Sequence, residues 1–460
     1  MLDTTTTNVL EVKNFKKVLI ANRGEIAVRV IRACRELGIR TVAVFSTADR
    51  SALHAQIADE AICIGPASSK ESYLNMKAII SACEVTGADA VHPGFGFLSE
   101  NPVFARMCEK CGITFIGPRP ESIEMLGDKA CAKETMKKAG VPVVPGSDGA
   151  VKTLEEAKKL ADEIGYPIMV KASAGGGGRG IRLVNQADEL EAMITAAKQE
   201  SLVCFGNDDI YIEKFIQNPR HIEFQILADS FGNAIHLGER DCSMQRRNQK
   251  VLEETPSPVM TEDLRKRMGE SAVNAAKATG YQNAGTIEFL VDNKGNYFFM
   301  EMNTRIQVEH PITEAVTGVD LVKQQLLIAQ GMKLQYSQND ISIKGHAIEC
   351  RINAENPEFN FRPSPGKISA LHIPGGNGIR VDSAVYQGYT IPPYYDSMIA
   401  KLIVYGNSRE EAIMKMKWAL AEFIVDGVST NIDFHVNLIR HEAFESGEYD
   451  IGFLGRTQII

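Results

Sequence analysis

Acidic and amide side chains on a predicted β-hairpin are the first candidates for chemistry. The turn DNKG at 292–295 joins two strand patterns of strongly apolar character. If these four residues close the hairpin, Glu288 lies opposite Phe299, Glu301 lies diagonally across on the same face, and Asn303 follows on that face. Two carboxylates and an amide oxygen suit Mg²⁺, which takes further ligands from water and substrate phosphates. The hairpin therefore predicts a divalent metal site.

The polar alternation continues along the chain after Asn303. Arg305, Gln307 and Glu309 alternate with mainly apolar neighbours, so an extended chain would place all three on the face of the metal ligands. Beside a nucleotide, an arginine followed by a second acid can hold a small anion and offer it a base. This run predicts an anion site next to the metal.

A glycine-rich segment, GGGGRG at 175–180, matches the G-x-G-x-x-G pattern of dinucleotide-binding proteins. That pattern requires a helix after the glycines, so that the helix N-terminus faces a pyrophosphate. Here a strand pattern ending at Lys171 precedes the loop and another at 181–184 follows it, which predicts a hairpin and argues against a nicotinamide oxidoreductase. Bare backbone N–H groups, with Lys171 and Arg179, can close over phosphate oxygens, although a flexible surface loop has the same composition.

Composition limits the class of protein. The chain has 460 residues, 44% hydrophobic and 23% charged, which is typical of a soluble protein with two or three domains. A net charge of -8 argues against a general nucleic-acid-binding protein. No run approaches the roughly 18 apolar residues of a membrane span, and the polar extension at 1–14 lacks the features of a signal peptide. The scattered cysteines, including the lone C-x-x-C pair Cys108 and Cys111, indicate reduced thiols and a cytoplasmic location.

The predicted fold class is α/β and α+β in three domains. Buried strand patterns lie at 18–21, 41–45, 88–92 and 114–117. With an amphipathic helix that stops at Gly38, they predict a parallel α/β domain over 15–126. Helices and antiparallel hairpins predict a central domain over 127–335, whose glycine-rich part at about 130–205 would be a mobile lid. A mixed α/β domain over 336–460 completes the chain.

Short segments along nearly the whole chain resemble the ATP-grasp superfamily and, within it, the biotin carboxylases. They occur in the family's order and read LIANRGEIA at 19–27, HPGFGFLSEN at 92–101, GDK at 127–129, KASAGGGGRG at 171–180, ERDCSMQRRNQK at 239–250, EMNTRIQVEHP at 301–311 and ECRINAE at 349–355. The resemblance implies an N-terminal α/β domain, an ATP-grasp region with a mobile lid, and a C-terminal domain.

The resemblance also implies a nucleotide and metal site. Lys129 and Lys171 would contact the phosphates of ATP, and the backbone of Gly177 and Gly178 would close over them. The other implied nucleotide contacts are Glu213, Lys214, Ile216, His221, Gln245, Glu288 and Glu301. The implied ligands of Mg²⁺ or Mn²⁺ are Glu288, Glu301 and Asn303, in agreement with the hairpin.

A bicarbonate and biotin site follows from the same resemblance. Its matching residues are Lys250, Arg305, Gln307, Val308 and Glu309 for bicarbonate, and Arg351 near the biotin carbonyl. Glu309 would be the base as bicarbonate attacks the γ-phosphate to form carboxyphosphate. Carboxyphosphate would break down to CO₂, and the released phosphate would take the N1 proton of biotin while Arg351 stabilises the enolate oxygen.

Some positions depart from the family pattern. Phe95 stands where Tyr is common, so a hydroxyl contact near biotin is not carried over. Asn248 replaces a common His, so a nucleotide contact there is not carried over either. Ala174 replaces a Gly at the start of the glycine-rich loop, which would reduce its flexibility.

Met414-Lys415-Met416 matches the biotin-attachment tripeptide of carrier domains. A carrier presents that tripeptide on a tight turn, whereas here it falls inside a helix pattern at 409–423. We interpret Lys415 as a surface lysine between two packing methionines, and expect the chain to carry no biotin of its own. Since the length leaves no room for further domains, the resemblance implies one subunit of a divided enzyme. A biotin carboxyl carrier protein and carboxyltransferase subunits would be its partners.

The resemblance favours acetyl-CoA carboxylase, an enzyme of fatty acid biosynthesis, as the parent enzyme, with the chain as a homodimer. The same kind of subunit serves pyruvate carboxylase and other acyl-CoA carboxylases. A different ATP-grasp ligase, which couples a carboxylate to an amine, would share the nucleotide residues but lack the run from Arg305 to Glu309 and Arg351. A silent regulatory module would have no need of Lys250 and Glu309.

Overall fold

A computed structural model of the chain describes residues 12–172, 181–205 and 209–459. The chain divides into two compact units. The smaller unit comprises Pro142–Pro219 and Leu290–Met300, and the larger unit takes the rest of the chain. In the part that is described, no helix is both long and apolar enough to cross a membrane.

Parallel strands and helices alternate in the first part of the larger unit, as the sequence predicts. The strands are β1 (Lys17–Ile20), β2 (Arg40–Ser46), β3 (Glu60–Gly65), β4 (Ala90–His92) and β5 (Thr114–Phe115). The helices are α1 (Gly24–Glu36), α2 (Leu53–Ile57), α3 (Met76–Thr86), α4 (Pro102–Lys110), α5 (Pro120–Gly127) and α6 (Lys129–Lys138). The strand order is β3-β2-β1-β4-β5 and every pairing is parallel, which confirms the predicted α/β architecture.

Helix α1 shows how the sequence determines this region. Ile26, Val30 and Ile31 recur at helical spacing and all three are buried. The chain leaves the helix through Gly38 with a φ of +71°, a backbone conformation that residues other than Gly rarely adopt. The predicted stop is therefore confirmed. The edge strand β3 is not predicted, because its side chains are mostly exposed or half-buried and lack a buried strand pattern.

The smaller unit contains an antiparallel sheet. Its strands are β6 (Ile168–Ala172), β7 (Ile181–Val184) and β8 (Ile210–Lys214), and its helices are α7 (Leu154–Ile164) and α8 (Leu190–Phe205). The strand order is β7-β6-β8, and Lys171 pairs with Ile181. The two strands of the predicted hairpin are thus confirmed, whereas the GGGGRG segment and the lid motion proposed for it lie outside the described residues.

The central region supplies antiparallel strands and three helices. They are β9 (Arg220–Ala228), β10 (Ala234–Arg246), β11 (Gln249–Thr255), α9 (Glu262–Ala278), β12 (Asn283–Val291), β13 (Tyr297–Asn303), α10 (His310–Thr317) and α11 (Leu321–Ala329). Strands β12 and β13 lie where the hairpin is predicted. The Asp292 N–H donates to the Asn296 carbonyl at 2.9 Å, so three residues, and not the predicted four, lie between the closing pair.

The C-terminal region mixes short strands with helices. Its strands are β14 (His346–Asn353), β15 (Glu355–Asn356), β16 (Arg362–Pro363), β17 (Gly366–Lys367), β18 (Ala370–His372), β19 (Ile379–Ser383), β20 (Thr390–Ile391), β21 (Met398–Gly406) and β22 (Ile424–Asp426). Its helices are α12 (Arg409–Glu422), α13 (Ile432–Ile439), α14 (Glu442–Ser446) and α15 (Phe453–Arg456).

One sheet joins the central and C-terminal regions. Its order is β13-β12-β9-β10-β11-β14-β21-β19, with antiparallel pairing wherever a register is resolved. The junction is the pairing of β11 with β14, in which Leu252 lies opposite Cys350. Side chains that are far apart in the sequence therefore become neighbours on this sheet.

Candidate active site

Lys250 on β11 lies at the centre of the candidate site in the larger unit. Its Nζ donates to Glu223 Oε2 at 2.7 Å, to Glu288 Oε1 at 2.9 Å and to Glu309 Oε1 at 2.7 Å. Burial alone would lower the pKa of this ammonium, but the neighbouring negative charges raise it well above its ordinary value. Lys250 is therefore a permanent cation that holds three acids from different elements together.

Arg351 on β14 is a second cation on Glu309. Its Nη2 donates to Glu309 Oε2 at 3.0 Å, and its Nε donates to Glu253 Oε1 at 2.7 Å. Burial would raise the pKa of Glu309, yet the charges of Lys250 and Arg351 lower it well below its ordinary value. Glu309 is thus a carboxylate held at both oxygens.

The predicted nucleotide contacts His221 and Gln245 form a chain that ends on Glu288. Gln245 Nε2 lies 2.7 Å from His221 Nδ1, and His221 Nε2 lies 2.9 Å from Glu288 Oε2. Burial would raise the pKa of Glu288, but Lys250 and His221 lower it below its ordinary value. The structure therefore brings these three predicted residues together with Lys250.

Glu288, Glu301 and Asn303 have the donor set of a hard divalent cation. Asn303 Nδ2 donates to Glu288 Oε1 at 2.8 Å. Burial and then the charge of Glu288 raise the pKa of Glu301, so the two carboxylates are close enough to repel each other. A divalent cation between them would turn that repulsion into attraction, which fits the predicted metal site. Asn303 offers its Oδ1 to Arg305 Nη2 at 3.2 Å, so metal binding through Oδ1 would replace that contact.

The expectation of one extended face from Asn303 to Glu309 is wrong. Strand β13 ends at Asn303, because the Thr304 N–H donates to the Glu100 carboxylate at 3.0 Å and the chain bends there. Arg305 Nη1 still reaches Gln307 Oε1 at 3.0 Å, so Asn303, Arg305 and Gln307 remain in contact. Glu309, in contrast, is the N-cap of α10 and is fully buried.

Of the remaining predictions in the larger unit, Lys129 and Val308 have distinct surroundings. Lys129 is the exposed first residue of α6, and the Asp128 side chain caps that helix. The Val308 carbonyl accepts a hydrogen bond from Lys401 Nζ at 2.9 Å. Gly177 and Gly178, predicted to cover the phosphates, belong to the stretch that the structure leaves undescribed.

The other predicted nucleotide contacts lie in the smaller unit. Lys171 on β6 forms an ion pair with Glu213 on β8. Lys214 Nζ donates to the Gly165 carbonyl at 2.8 Å, and Ile216 is half-buried just after the strand. The structure thus brings Lys171 and Glu213 into direct contact.

Three further charged residues near the site are not predicted from the sequence, namely Glu223, Arg240 and Glu253. All three are fully buried, and Arg240 Nε donates to Glu223 Oε1 at 2.5 Å. The signal was present on β9, where His221, Glu223 and Gln225 alternate with apolar residues on a strand that is buried throughout. Charged residues at every second position of a buried strand must find partners, so that pattern marks a polar interior face.

The departure at Asn248 has a structural reason. Arg247 and Asn248 form the two-residue connection between β10 and β11, with φ of 51° and 63°. A two-residue hairpin with positive φ at both positions is favourable for Asn.

The other two departures from the family pattern are Phe95 and Ala174. Phe95 is half-buried, and its carbonyl accepts from Asn22 Nδ2 at 2.7 Å. Ala174 is not among the described residues.

The tripeptide Met414-Lys415-Met416 lies inside α12, as predicted. The expected surroundings are wrong in detail, because Met416 is buried but Met414 is 61% exposed. Lys415 is half-buried, and its Nζ binds the Tyr405 carbonyl at 2.8 Å and Glu411 Oε1 at 2.9 Å. Residues two apart point to different sides of a helix, so only one of the two methionines can face the core.

Family models match consecutive parts of the chain. The biotin carboxylase N-terminal domain matches residues 14–123, and the biotin carboxylase C-terminal domain matches residues 349–456. Between them, the ATP-binding domain of the carbamoyl-phosphate synthase L chain matches residues 128–337.

Known proteins match over nearly the whole chain. Biotin carboxylase 1 of Bacillus subtilis (strain 168) is 60% identical over 446 residues, which cover 97% of this chain and 99% of that protein. The solved structure of the biotin carboxylase subunit of a pyruvate carboxylase is 54% identical, with a TM-score of 0.89. That match covers 96% of this chain and 98% of the other.

A second solved structure supports the same relationship. It shows the biotin carboxylase domain dimer of the Hydrogenobacter thermophilus 2-oxoglutarate carboxylase in complex with MgADP, ADP and bicarbonate. Its TM-score is 0.86 at 54% identity, and the match covers 96% of this chain and 97% of that chain. By sequence and by fold, the chain belongs to the biotin carboxylase family of ATP-dependent ligases.

Proposed function

We propose that the chain uses ATP and bicarbonate to carboxylate the biotin of a separate biotin carboxyl carrier protein. The observation that carries this proposal is the buried Glu309 between Lys250 and Arg351, shortly after the contacting pair Arg305 and Gln307 in the chain. An amine-coupling ATP-grasp ligase has no use for a base held between two cations that can accept a small anion. That arrangement favours bicarbonate as the second substrate.

The nucleotide and metal roles follow from the chemistry of the residues. Lys129 and Lys171 would bind ATP phosphates as point charges, and Glu288, Glu301 and Asn303 would hold Mg²⁺ or Mn²⁺. The metal, when bound, neutralises phosphate charge and polarises the γ-phosphoryl group. The ion pair of Lys171 with Glu213 would have to open for Lys171 to reach a phosphate.

The first step depends on the two cations that hold Glu309. A bicarbonate anion bound by Arg305 and Lys250 would share the positive charge that lowers the Glu309 pKa, and that pKa would rise. Glu309 could then take the bicarbonate proton as the bicarbonate oxygen attacks the γ-phosphorus. The new O–P bond forms as the bond to ADP breaks, and the product is carboxyphosphate.

The second step places the carboxyl group on biotin. Carboxyphosphate breaks down to CO₂ and phosphate, and the phosphate takes the proton from biotin N1 as N1 attacks CO₂. Negative charge develops on the ureido oxygen of biotin, where the Arg351 guanidinium would stabilise it. The contact of Arg351 Nε with Glu253 leaves the guanidinium oriented for this role.

Bicarbonate-dependent ATP hydrolysis with Mg²⁺, with and without free biotin, tests this function. We expect biotin to stimulate turnover, and Glu309→Gln to lower the bicarbonate-dependent rate by about 10²- to 10⁴-fold, as for loss of a general base. ATP turnover that ignores both bicarbonate and biotin would contradict the proposal and point to the carboxylate–amine ligase.

For the parent enzyme we propose acetyl-CoA carboxylase, with the chain as a homodimer. Similarity to a protein named simply biotin carboxylase, at 60% identity, supports a subunit of a divided enzyme. The relatives named for pyruvate and 2-oxoglutarate carboxylases, both at 54%, keep those acceptors as alternatives. Offering the chain purified carrier proteins of each kind, with ¹⁴C-bicarbonate and ATP, tests the choice. Preferred labelling of a pyruvate carboxylase carrier would contradict the choice of acetyl-CoA carboxylase.

Sedimentation equilibrium of the purified chain tests whether it is a homodimer.

A further inference from the structure

Lys401 on β21 is a fully buried lysine outside the residues discussed for substrate. Its ammonium donates to the Val308 carbonyl at 2.9 Å. It also lies 3.1 Å from Glu25 Oε2 of α1 and 4.0 Å from Asp382 Oδ2 of β19. A buried ammonium needs opposite charge, which Glu25 and Asp382 supply. The contact with a backbone carbonyl therefore goes beyond what charge balance requires.

The strand register places Lys401 beside Arg351. Lys401 is the cross-strand partner of Arg351 on β14 and of Asp382 on β19. Directly opposite residues in an antiparallel pair project from the same face of the sheet. On that face, Arg351 holds the carboxylate of Glu309, while Lys401 holds the main chain of the residue before it.

The peptide group between Val308 and Glu309 links the Lys401 hydrogen bond to the position of Glu309. Because a peptide group is planar, a hydrogen bond that fixes the Val308 carbonyl also fixes the N–H and the Cα of Glu309. The backbone at this point is irregular, between the end of β13 at Asn303 and the start of α10 at His310. Strand pairing does not orient it there, so a rigid side chain from the sheet can do so.

We propose that Lys401 is a positioning residue for the bicarbonate site: it sets the height of the Val308–Glu309 peptide above the sheet. Glu309 then reaches Lys250 and Arg351 together. This inference rests on the proposed function, because it assigns Lys401 to the bicarbonate half of the site and not to the nucleotide half. Displacement of a catalytic group by about 1 Å can lower a rate by about 10²-fold.

The test separates the hydrogen bond to Val308 from the charge balance of the core. Lys401→Met alone would leave Glu25 buried without its cation, which itself destabilises a protein. We therefore compare Glu25→Gln, which keeps Lys401 on the Val308 carbonyl, with the double variant Lys401→Met/Glu25→Gln, which removes both charges. Thermal melts confirm that both are folded at the assay temperature.

We expect Glu25→Gln to keep kcat/KM for bicarbonate close to that of the parent chain. The double variant should lose about 10²-fold in kcat/KM for bicarbonate, with KM for ATP changed by less than about threefold. A purely structural role of Lys401 would lower the amount of active enzyme and leave both KM values unchanged.

Equal kcat/KM for bicarbonate in the double variant and in Glu25→Gln would overturn the inference. If the double variant does not fold, Lys401→Gln serves instead, because glutamine is too short to keep the same contact but stays polar beside Glu25. Bicarbonate kinetics of Lys401→Gln equal to those of the parent would equally overturn it. Absence of bicarbonate-dependent ATP hydrolysis in the parent chain would instead contradict the proposed function.

Discussion

Glu253 and Glu349 lie directly opposite each other on β11 and β14, and both side chains are fully buried. Burial raises the pKa of Glu253 to about 7, although Arg351 counteracts the shift. Burial likewise raises the pKa of Glu349 well above its ordinary value. Two buried acids on opposite strands cannot both be charged at little cost, so the pair holds a proton beside Arg351.

The first prediction is a pH dependence of stability that involves Glu253. The folded chain keeps a proton on this carboxyl between its ordinary pKa of 4.5 and about 7, whereas the unfolded chain releases it. The free energy of unfolding should therefore fall as pH rises through this window, by at most about 1.4 kcal/mol per pH unit. Urea unfolding of the parent chain and of Glu253→Gln at pH 5, 6 and 7 measures it. The free energy of unfolding of the parent chain minus that of Glu253→Gln should fall with pH at this slope. Free energies that change in parallel with pH would contradict the prediction.

The second prediction concerns Glu349. Burial raises its pKa well above its ordinary value and so favours the protonated form. The neutral isostere in Glu349→Gln should therefore leave the free energy of unfolding within about 1 kcal/mol of the parent chain. The matched change Glu253→Gln replaces the carboxylate that accepts from Arg351 with a neutral amide. Above pH 7, where Glu253 is charged, it should lower bicarbonate- and biotin-dependent turnover. Equal losses of activity in both variants would show that Glu349 carries a charge.

The third prediction concerns the geometry of Arg351. In Arg351→Lys the charge remains, but an ammonium lacks the planar fork that joins Glu253 to Glu309. Biotin-dependent turnover should fall by about 10²-fold, the usual effect of losing one aligned donor. The control is Arg409→Lys, because Arg409 also uses its Nε and Nη2, but both donate to one carboxylate, that of Glu254.

Arg409→Lys should lower the melting temperature while kcat and KM of the folded enzyme stay unchanged. A similar kinetic loss in both variants would mean that the sheet as a whole, and not the Arg351 fork, controls turnover.

The fourth prediction is that Lys415 is not a biotin-attachment site. Its ammonium is engaged with Glu411 and the Tyr405 carbonyl, and it lies in the middle of α12. A biotin ligase needs the lysine on an exposed turn, so incubation with biotin, ATP and a biotin ligase should leave this chain unlabelled. A biotin carboxyl carrier protein in the same reaction is the positive control. If the parent chain were labelled and Lys415→Arg were not, the prediction would be wrong.

Local sequence patterns predicted several secondary-structure elements of this protein and some of its candidate site residues. The stop of α1 at Gly38 and the positions of β12 and β13 follow from periodicity and turn residues, which act over a few positions. Glu288 and Glu309 were predicted from the alternation of polar residues, and Lys250 was predicted from the resemblance to the biotin carboxylases. Helix α12 was likewise predicted from the helical spacing of its residues.

Only the tertiary structure decided how those side chains meet. The bend after Asn303 depends on Glu100, which is far away in the sequence. The predicted extension of the strand is therefore irregular chain that leads to Glu309, the N-cap of α10. The neighbourhood of Arg351 and Lys401 depends on the register of β14 with β21, and such pairings between distant strands leave no local signal. Buried partners such as Glu253 could be found only in the fold, because burial is a property of long-range packing.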